Sequence, residues 1–410
     1  MNNIKIHRLT SGAAPFVGGA AAILLAAAIV SAPESSFAAS LQGLKLWWNL
    51  VFPALLPFLI LSEMLAASGV VHSLGVLLEP LMKRIFRLPG AGGWTLVLGM
   101  TAGFPAGAGA VQQLHKQGRI TNKEAGRLAS LAHYASPVTL LIVVGAAFLH
   151  NPASGYALLA IHWLAGLSAG YTSALIGGRS RIDAPPHLAG GDGKKASLPR
   201  RLYRAAVEAR EQDGRSFGRL LGESVSSAVQ NLMIVGGYMI IFAVVINIAA
   251  SMFPQLPQAL AASVLEIHLG AHALSAGTSG LPSFNSGGLL RAALLSAALG
   301  WSGICGQLQA LTLLKQAGVR FLPYAANRLL HGIYAFLFTL LLWKPLLNLQ
   351  SAVLPVAAVP KDQLLPGIAA PETVWFFLPQ ALGLQILILL LLLALSAVVY
   401  VMASLRRPSA

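Results

Sequence analysis

The sequence predicts an all-α, polytopic membrane protein, and three observations carry that prediction. Of 410 residues, 56% are hydrophobic and only 10% charged, with a mean hydropathy of +0.70, which leaves no room for a sizeable soluble domain. Several apolar runs are long enough to cross a bilayer as helices. A third observation is the stretch Gly99 to Gly109, apolar enough for lipid but rich in glycine, with Pro105 at its centre. Glycine and proline there free backbone groups near 103 to 107, and in lipid such groups must face protein or a wet cavity. This reads as the tip of a re-entrant hairpin; a Gly/Ala-rich helix kinked at Pro105 is the alternative.

Composition also excludes whole classes of function. The single cysteine, Cys305, rules out an intramolecular disulfide or a cysteine-built metal cluster. A net charge of +15 fits cytoplasmic loops and anionic headgroups in a membrane protein, so no nucleic-acid partner is expected. Walker, HExxH and paired-carboxylate patterns are absent from the sequence, so neither a cofactor nor a metal is expected and any transport would be gradient-driven.

The elements follow in order. Lys5, His7 and Arg8 precede an apolar run from Ala13 to about Val30, so residues 1–40 form a transmembrane or signal-like helix with a cytoplasmic N-terminus; small residues at 36–38 would also permit cleavage. Leu44 to about Ala67 spans back, with Trp47 and Trp48 as interfacial anchors. Val70 to Arg87 reads as an amphipathic helix at the cytoplasmic face. Basic residues flank the Gly-rich stretch on both sides, Lys83, Arg84 and Arg87 before it and His115, Lys116, Arg119, Lys123 and Arg127 after it. A segment entering and leaving on one side satisfies the positive-inside rule best. The next helix runs outward from Asn122 to about His150 with a break at Ser136-Pro137, and Tyr156 to Ile176 returns. Residues 178–215 form a basic cytoplasmic linker facing anionic lipid headgroups, whose part from Leu202 to Arg219 can become an amphipathic helix.

The second half repeats the first weakly. Residues 41–177 and 216–345 form two units on one plan, with the turn at 103–107 matched to Gly300 to Gly306 and Arg127-Leu128 to Arg328-Leu329. Opposite orientations of the two units would make inverted repeats, each with a re-entrant hairpin, the second at 287–314. That placement puts Lys315, Arg320, Arg406 and Arg407 outside, against the charge rule; a full crossing of 287–314 would put them inside but would break the symmetry. A loop and a last helix, about Phe376 to Met402, make up 346–410.

Four stretches carry a family resemblance: Trp48 to Phe58 (WNLVFPALLPF), Gly103 to Gly107 (GFPAG), His133 to Pro137 (HYASP) and Asn327 to Gly332 (NRLLHG). In order and spacing they resemble the YlbJ-type sporulation integral membrane proteins, over about 41 to 345. The resemblance implies paired nucleoside-recognition Gate domains, related to segments of concentrative nucleoside and ferrous-iron transporters. It also implies a multi-pass protein of endospore formers, in the inner or forespore membrane, needed for the spore cortex.

The expected function is a transporter or permease of a small polar solute. Its binding residues would be Gly103, Phe104, Pro105 and Gly107 at the first tip, Ser136 at the helix break, Ser302 and Gly303 at the second turn, and Arg328 with His331 one turn apart on a spanning helix. Arg328 would meet Glu266 or freed carbonyls of the 300–306 turn, and Glu63 would snorkel or pair with Lys83. A non-transporting scaffold for spore-envelope assembly is the second reading. Gly300 to Gly303 (GWSG) with His331 suggests, third, the Ser-His dyad of an intramembrane protease, although no third catalytic group or oxyanion donor accompanies it.

Overall fold

A computed structural model describes residues 2–177, 197–276, 288–353 and 390–402, and among these there is no strand. The chain begins with α1 (Asn2–Ser31) and α2 (Pro33–Leu46), which runs through a π-helical turn into α3 (Phe52–Ala67). The amphipathic α4 (Val70–Arg84) follows, then α5 (Gly93–Ala102), α6 (Phe104–Lys116) and α7 (Asn122–Leu131). A π-helical stretch, Thr139–Phe148, leads to α8 (Pro152–Ile176), and α9 (Leu198–Asp213) precedes α10 (Phe217–Met252). The second half holds α11 (Gln258–Leu265), α12 (Ile267–Ala276), α13 (Leu289–Trp301), α14 (Gly303–Leu313) and α15 (Phe321–Val353). The last described helix is α16 (Leu390–Met402). Five segments have the length and apolarity to cross a membrane: Pro33–Ala67, Pro152–Ile176, Phe217–Met252, Leu289–Leu313 and Phe321–Asn348.

The first hairpin forms where glycine demanded it. Gly103 sits at φ 92°, ψ 179° between α5 and α6, a conformation open to glycine and strained for other residues. The arms fold back closely: a Cβ on Gly107 would lie 3.1 Å from the Gly99 Cα. Pro105 is in the first turn of α6, where its missing N–H costs nothing, so it starts a helix rather than kinking one. After the hairpin, α7 opens with a capping box between Thr121 and Glu124 and ends at Leu131; residues 133–136 are irregular before the chain becomes helical again.

The second half builds the same pair of devices, but not where the sequence pattern placed them. Its fold-back is between α11 and α12, about the single extended residue Glu266 (φ −141°, ψ 129°), and a Cβ on Gly270 would come 2.4 Å from the Ser263 Cα. Residues 289–313, expected to be a hairpin, form a broken helix instead. Ser302 (φ 65°) and Gly303 (φ 66°) interrupt it in left-handed conformation, while α13 packs on α15 and α14 packs on α6. The register shifts accordingly. Ser136 and Ser302, His162 and Arg328, and Gly166 and Gly332 are each 166 positions apart, and both glycines lie against the residue two before the break serine: a Cβ on Gly166 would meet the Tyr134 ring, and a Cβ on Gly300 would meet the Gly332 Cα.

Side-chain contacts show which ends lie together. Gln112 Nε2 donates to Gln316 Oε1 at 2.8 Å, and a Cβ on Gly318 would lie 3.0 Å from the Asn122 amide, so the base of the first hairpin, the start of α7 and residues 315–320 share one end. At the far end of the broken helix, Phe148 meets His272 of the second hairpin, ring centroids 5.1 Å apart. The helix α9 lies across α4: Ser73 Oγ donates to the Leu202 carbonyl at 2.8 Å, and Glu79 pairs with both Arg201 and Lys83. Burial alone would raise the Glu79 carboxyl, but the two cations hold it below its ordinary pKa. Glu63 pairs with Arg215 (3.2 Å), not Lys83. Trp47 is buried with Nε1 donating to the Leu232 carbonyl at 2.9 Å, and only Trp48 stands at the surface. The helix α15 runs as far as Val353. Residues 178–196 of the basic linker, most of the 346–389 loop, and Arg406 and Arg407 lie outside the described residues.

Candidate functional site

Four interruptions of helix meet in one place. The first tip docks on the first break: a Cβ on Gly103 would lie 3.2 Å from Ser136 Cβ and 3.3 Å from its N. The second tip docks on the second break, since a Cβ on Gly303 would lie 3.0 Å from the Ile267 N and the Leu265 carbonyl. The pairs then join each other. Phe104 stacks on His133 with ring centroids 4.6 Å apart, His133 Nε2 is 2.8 Å from Ser302 Oγ, and a Cβ on Gly306 would lie 3.5 Å from the Phe104 ring.

The freed backbone groups of the first break are satisfied by side chains from both spanning helices. Arg328 donates through Nη1 to the His133 carbonyl (2.5 Å) and through Nη2 to the Ser130 carbonyl (2.9 Å). His162 Nε2 accepts from the Ala135 N–H at 3.0 Å, and Ser136 Oγ accepts from the Thr139 N–H at 3.2 Å. Tyr324 OH bonds His133 Nδ1. His331 Nε2 donates to the His162 carbonyl at 2.9 Å, with the two imidazole centroids 4.5 Å apart. Buried atoms without a partner remain here: His162 Nδ1, His331 Nδ1, Tyr134 OH and Arg328 Nε.

The second break is satisfied locally by neutral groups. The Trp301 carbonyl accepts from Ser302 Oγ (2.6 Å) and from Gln307 Nε2 (3.0 Å), and Trp301 Nε1 donates to the Val264 carbonyl of the second hairpin (2.9 Å). Glu266, 1% exposed, accepts from His268 Nδ1 (2.9 Å) and from the Leu269 N–H (2.7 Å), capping α12.

Of the residues the sequence singled out, Gly103, Phe104, Ser136, Ser302 and Gly303 come together at the convergence. Gly107 does not line it but packs the arm, its Cβ position 2.5 Å from the Ala132 carbonyl. Pro105 is half-buried at the start of α6. Arg328 is there, 2% exposed, but meets neither Glu266 nor the 300–306 turn; its partners are carbonyls of the other half. His331 binds the backbone of α8 and not Ser302. Sequence reasoning passed over His162 and Tyr324; the 166-residue register, which aligns His162 with Arg328, is the signal that finds the former. Among the described residues no cluster of three or more His, Cys, Asp or Glu side chains is placed to hold a metal.

The family model described as Gate, nucleoside recognition, matches residues 49–150, the part that contains the first hairpin and the first broken helix. No solved structure matches the chain. It is 37% identical over 347 residues to the sporulation integral membrane protein YlbJ of Bacillus subtilis (strain 168), covering 79% of this chain and 81% of that protein. With that identity over most of both chains, and with the broken helices it covers, this chain belongs to the YlbJ family of sporulation integral membrane proteins.

Proposed function

We propose that the protein is a gradient-driven transporter or permease for a small polar solute, acting in endospore formation at the stage of the spore cortex. One observation carries the reading: two hairpin tips and two helix breaks converge, which concentrates polar backbone in the apolar interior, as secondary transporters do at their midplane sites. The solute would be read by the groups around Gly103, Phe104, Ser136, Ser302 and Gly303, with Glu266 and His133 added by the geometry. Flux of radiolabelled small polar solutes, nucleosides among them, into proteoliposomes tests it; absence of any flux above empty vesicles overturns it.

The same reading makes the two units inverted repeats, each of hairpin, broken helix and spanning helix: α5 to α8 and α11 to α15. With the second hairpin at 258–276, residues 289–313 cross fully, so Lys315 and Arg320 fall on the cytoplasmic side with the N-terminus. Inverted symmetry and the positive-inside rule then agree. Cysteines introduced at Gly90, Gly118 and Lys315 should react from one side and those at Gln255 and Gly288 from the other. Cys305 is buried and needs no removal. Labelling of Gly118 and Lys315 from opposite sides sinks the arrangement.

A scaffold role has one observation in its favour: α9 has no buried residue and exposes Arg200, Tyr203 and Arg204, a basic and aromatic face suited to anionic lipid headgroups. No enzymatic role is proposed. The Ser302 hydroxyl gives its one proton to the Trp301 carbonyl, so His133 Nε2–H is a donor to Ser302 Oγ and not a base for it.

A further inference from the structure

A half-helix that ends inside an apolar interior presents unpaired carbonyls and the negative end of its dipole, and broken transport helices commonly meet that demand with a bound cation. The end of α7 is such a place. Its Ser130 carbonyl and the His133 carbonyl just beyond it are taken by the Nη2 and Nη1 groups of Arg328, at 2.9 and 2.5 Å. Arg328 belongs to α15 and reaches them from 195 positions away, is 2% exposed, and makes no ion pair with any described carboxylate. A guanidinium carries one permanent positive charge and donates in a fixed plane, so it can supply to two carbonyls what a monovalent metal ion would supply. The second break offers the control within the same molecule: the Trp301 carbonyl is satisfied by the neutral Ser302 and Gln307 side chains, and among the described residues no cation donates to it.

We propose that Arg328 is a tethered cation that permanently fills the carbonyl site at the end of α7, where a helix break of this architecture would otherwise take a sodium or potassium ion. The occupancy itself does not depend on the transport reading. Resting on that reading, it follows that solute movement is not coupled to a metal ion at this break.

The test uses purified full-length protein and reads thermal unfolding in sodium, potassium, choline and low-millimolar guanidinium chlorides at equal ionic strength. Wild type should unfold at one temperature in all four. Arg328→Ala should unfold earlier in choline and recover by about 2 °C or more in sodium or guanidinium, the size expected for a ligand that binds the folded state alone. Arg328→Gln, which keeps one amide donor and so folds more readily, should show the same ion response, and Arg328→Lys, which keeps the charge, should not. A sodium-specific rise of that size in wild type overturns the proposal whatever the variants do, and so does a folded Arg328→Ala or Arg328→Gln protein indifferent to the cation. Because the readout is stability and not flux, a protein that moves no solute can still pass or fail.

Discussion

The two helix breaks share a design and differ in chemistry. Both follow a hairpin, both centre on a serine, and both lie so close to the tip of their own hairpin that a Cβ on Gly103 or Gly303 would be crowded. The break after α7 draws a buried cation from the other half of the chain and an imidazole from its own. The break after α13 is closed by the hydroxyl at the break itself and an amide six residues from the carbonyl it serves. The difference teaches that a repeated architecture fixes where backbone groups are freed but not what answers them. At one break the freed carbonyl is answered from within the same segment, and at the other the freed carbonyls are answered by a cation from the opposite half.

The largest expected effect comes from breaking the cross-half clamp. Arg328→Met removes the donors while keeping most of the apolar volume, leaving two buried carbonyls unanswered, and should destabilise the protein by about 3–5 kcal/mol in denaturant or thermal unfolding. A loss no greater than that of the matched change at the other break would erase the distinction. That matched change is Gln307→Leu. The Trp301 carbonyl keeps the Ser302 hydroxyl, so the cost should be about 1 kcal/mol by the same measurement.

A third outcome sharpens the contrast by comparing the buried clamp with a surface one. Glu79 holds α9 through Lys83 and Arg201, and its folded-state pKa is lowered. A depressed carboxylate stabilises the fold above its unfolded pKa of about 4.3, and the contribution disappears as pH falls through the lower folded value. Because the group is part-exposed, the effect should stay below about 1 kcal/mol and fade in high salt. It is measurable as release of α9 to limited proteolysis below pH 4, with Glu79→Gln already released at neutral pH. Proteolysis that does not change with pH would show that apolar packing, not the ion pairs, holds α9.

Hydropathy made the helical class legible, glycine and Pro105 marked the break at 103–107, and the basic residues on both flanks pointed to a turn back there. Arg328 and His331 also stood out, since a polar pair in an apolar helix demands a partner. The second hairpin did not stand out. Its turn is Glu266, one residue in ordinary extended conformation with neither glycine nor proline at the bend; an isolated acid among 19 residues was the one mark it left. The Gly-Trp-Ser-Gly turn at 300–303 drew the hairpin assignment instead, because glycine signals a break without saying whether the chain turns back or continues. Freed carbonyls were expected to meet Arg328, but which break supplies them could not be read, because backbone carbonyls have no residue type.

The distance in sequence between Arg328 and the break it closes also sets an order in time. Some 195 residues separate Arg328 from His133, so at synthesis rates of 5–20 residues per second the broken helix waits about 10–40 s for its clamp. Over that interval the nascent first half holds open carbonyls in the bilayer, available to water or to the insertion machinery. Its maturation is therefore tied to the arrival of the second half, and a chain cut at the linker should recover its stability only when both fragments are made together.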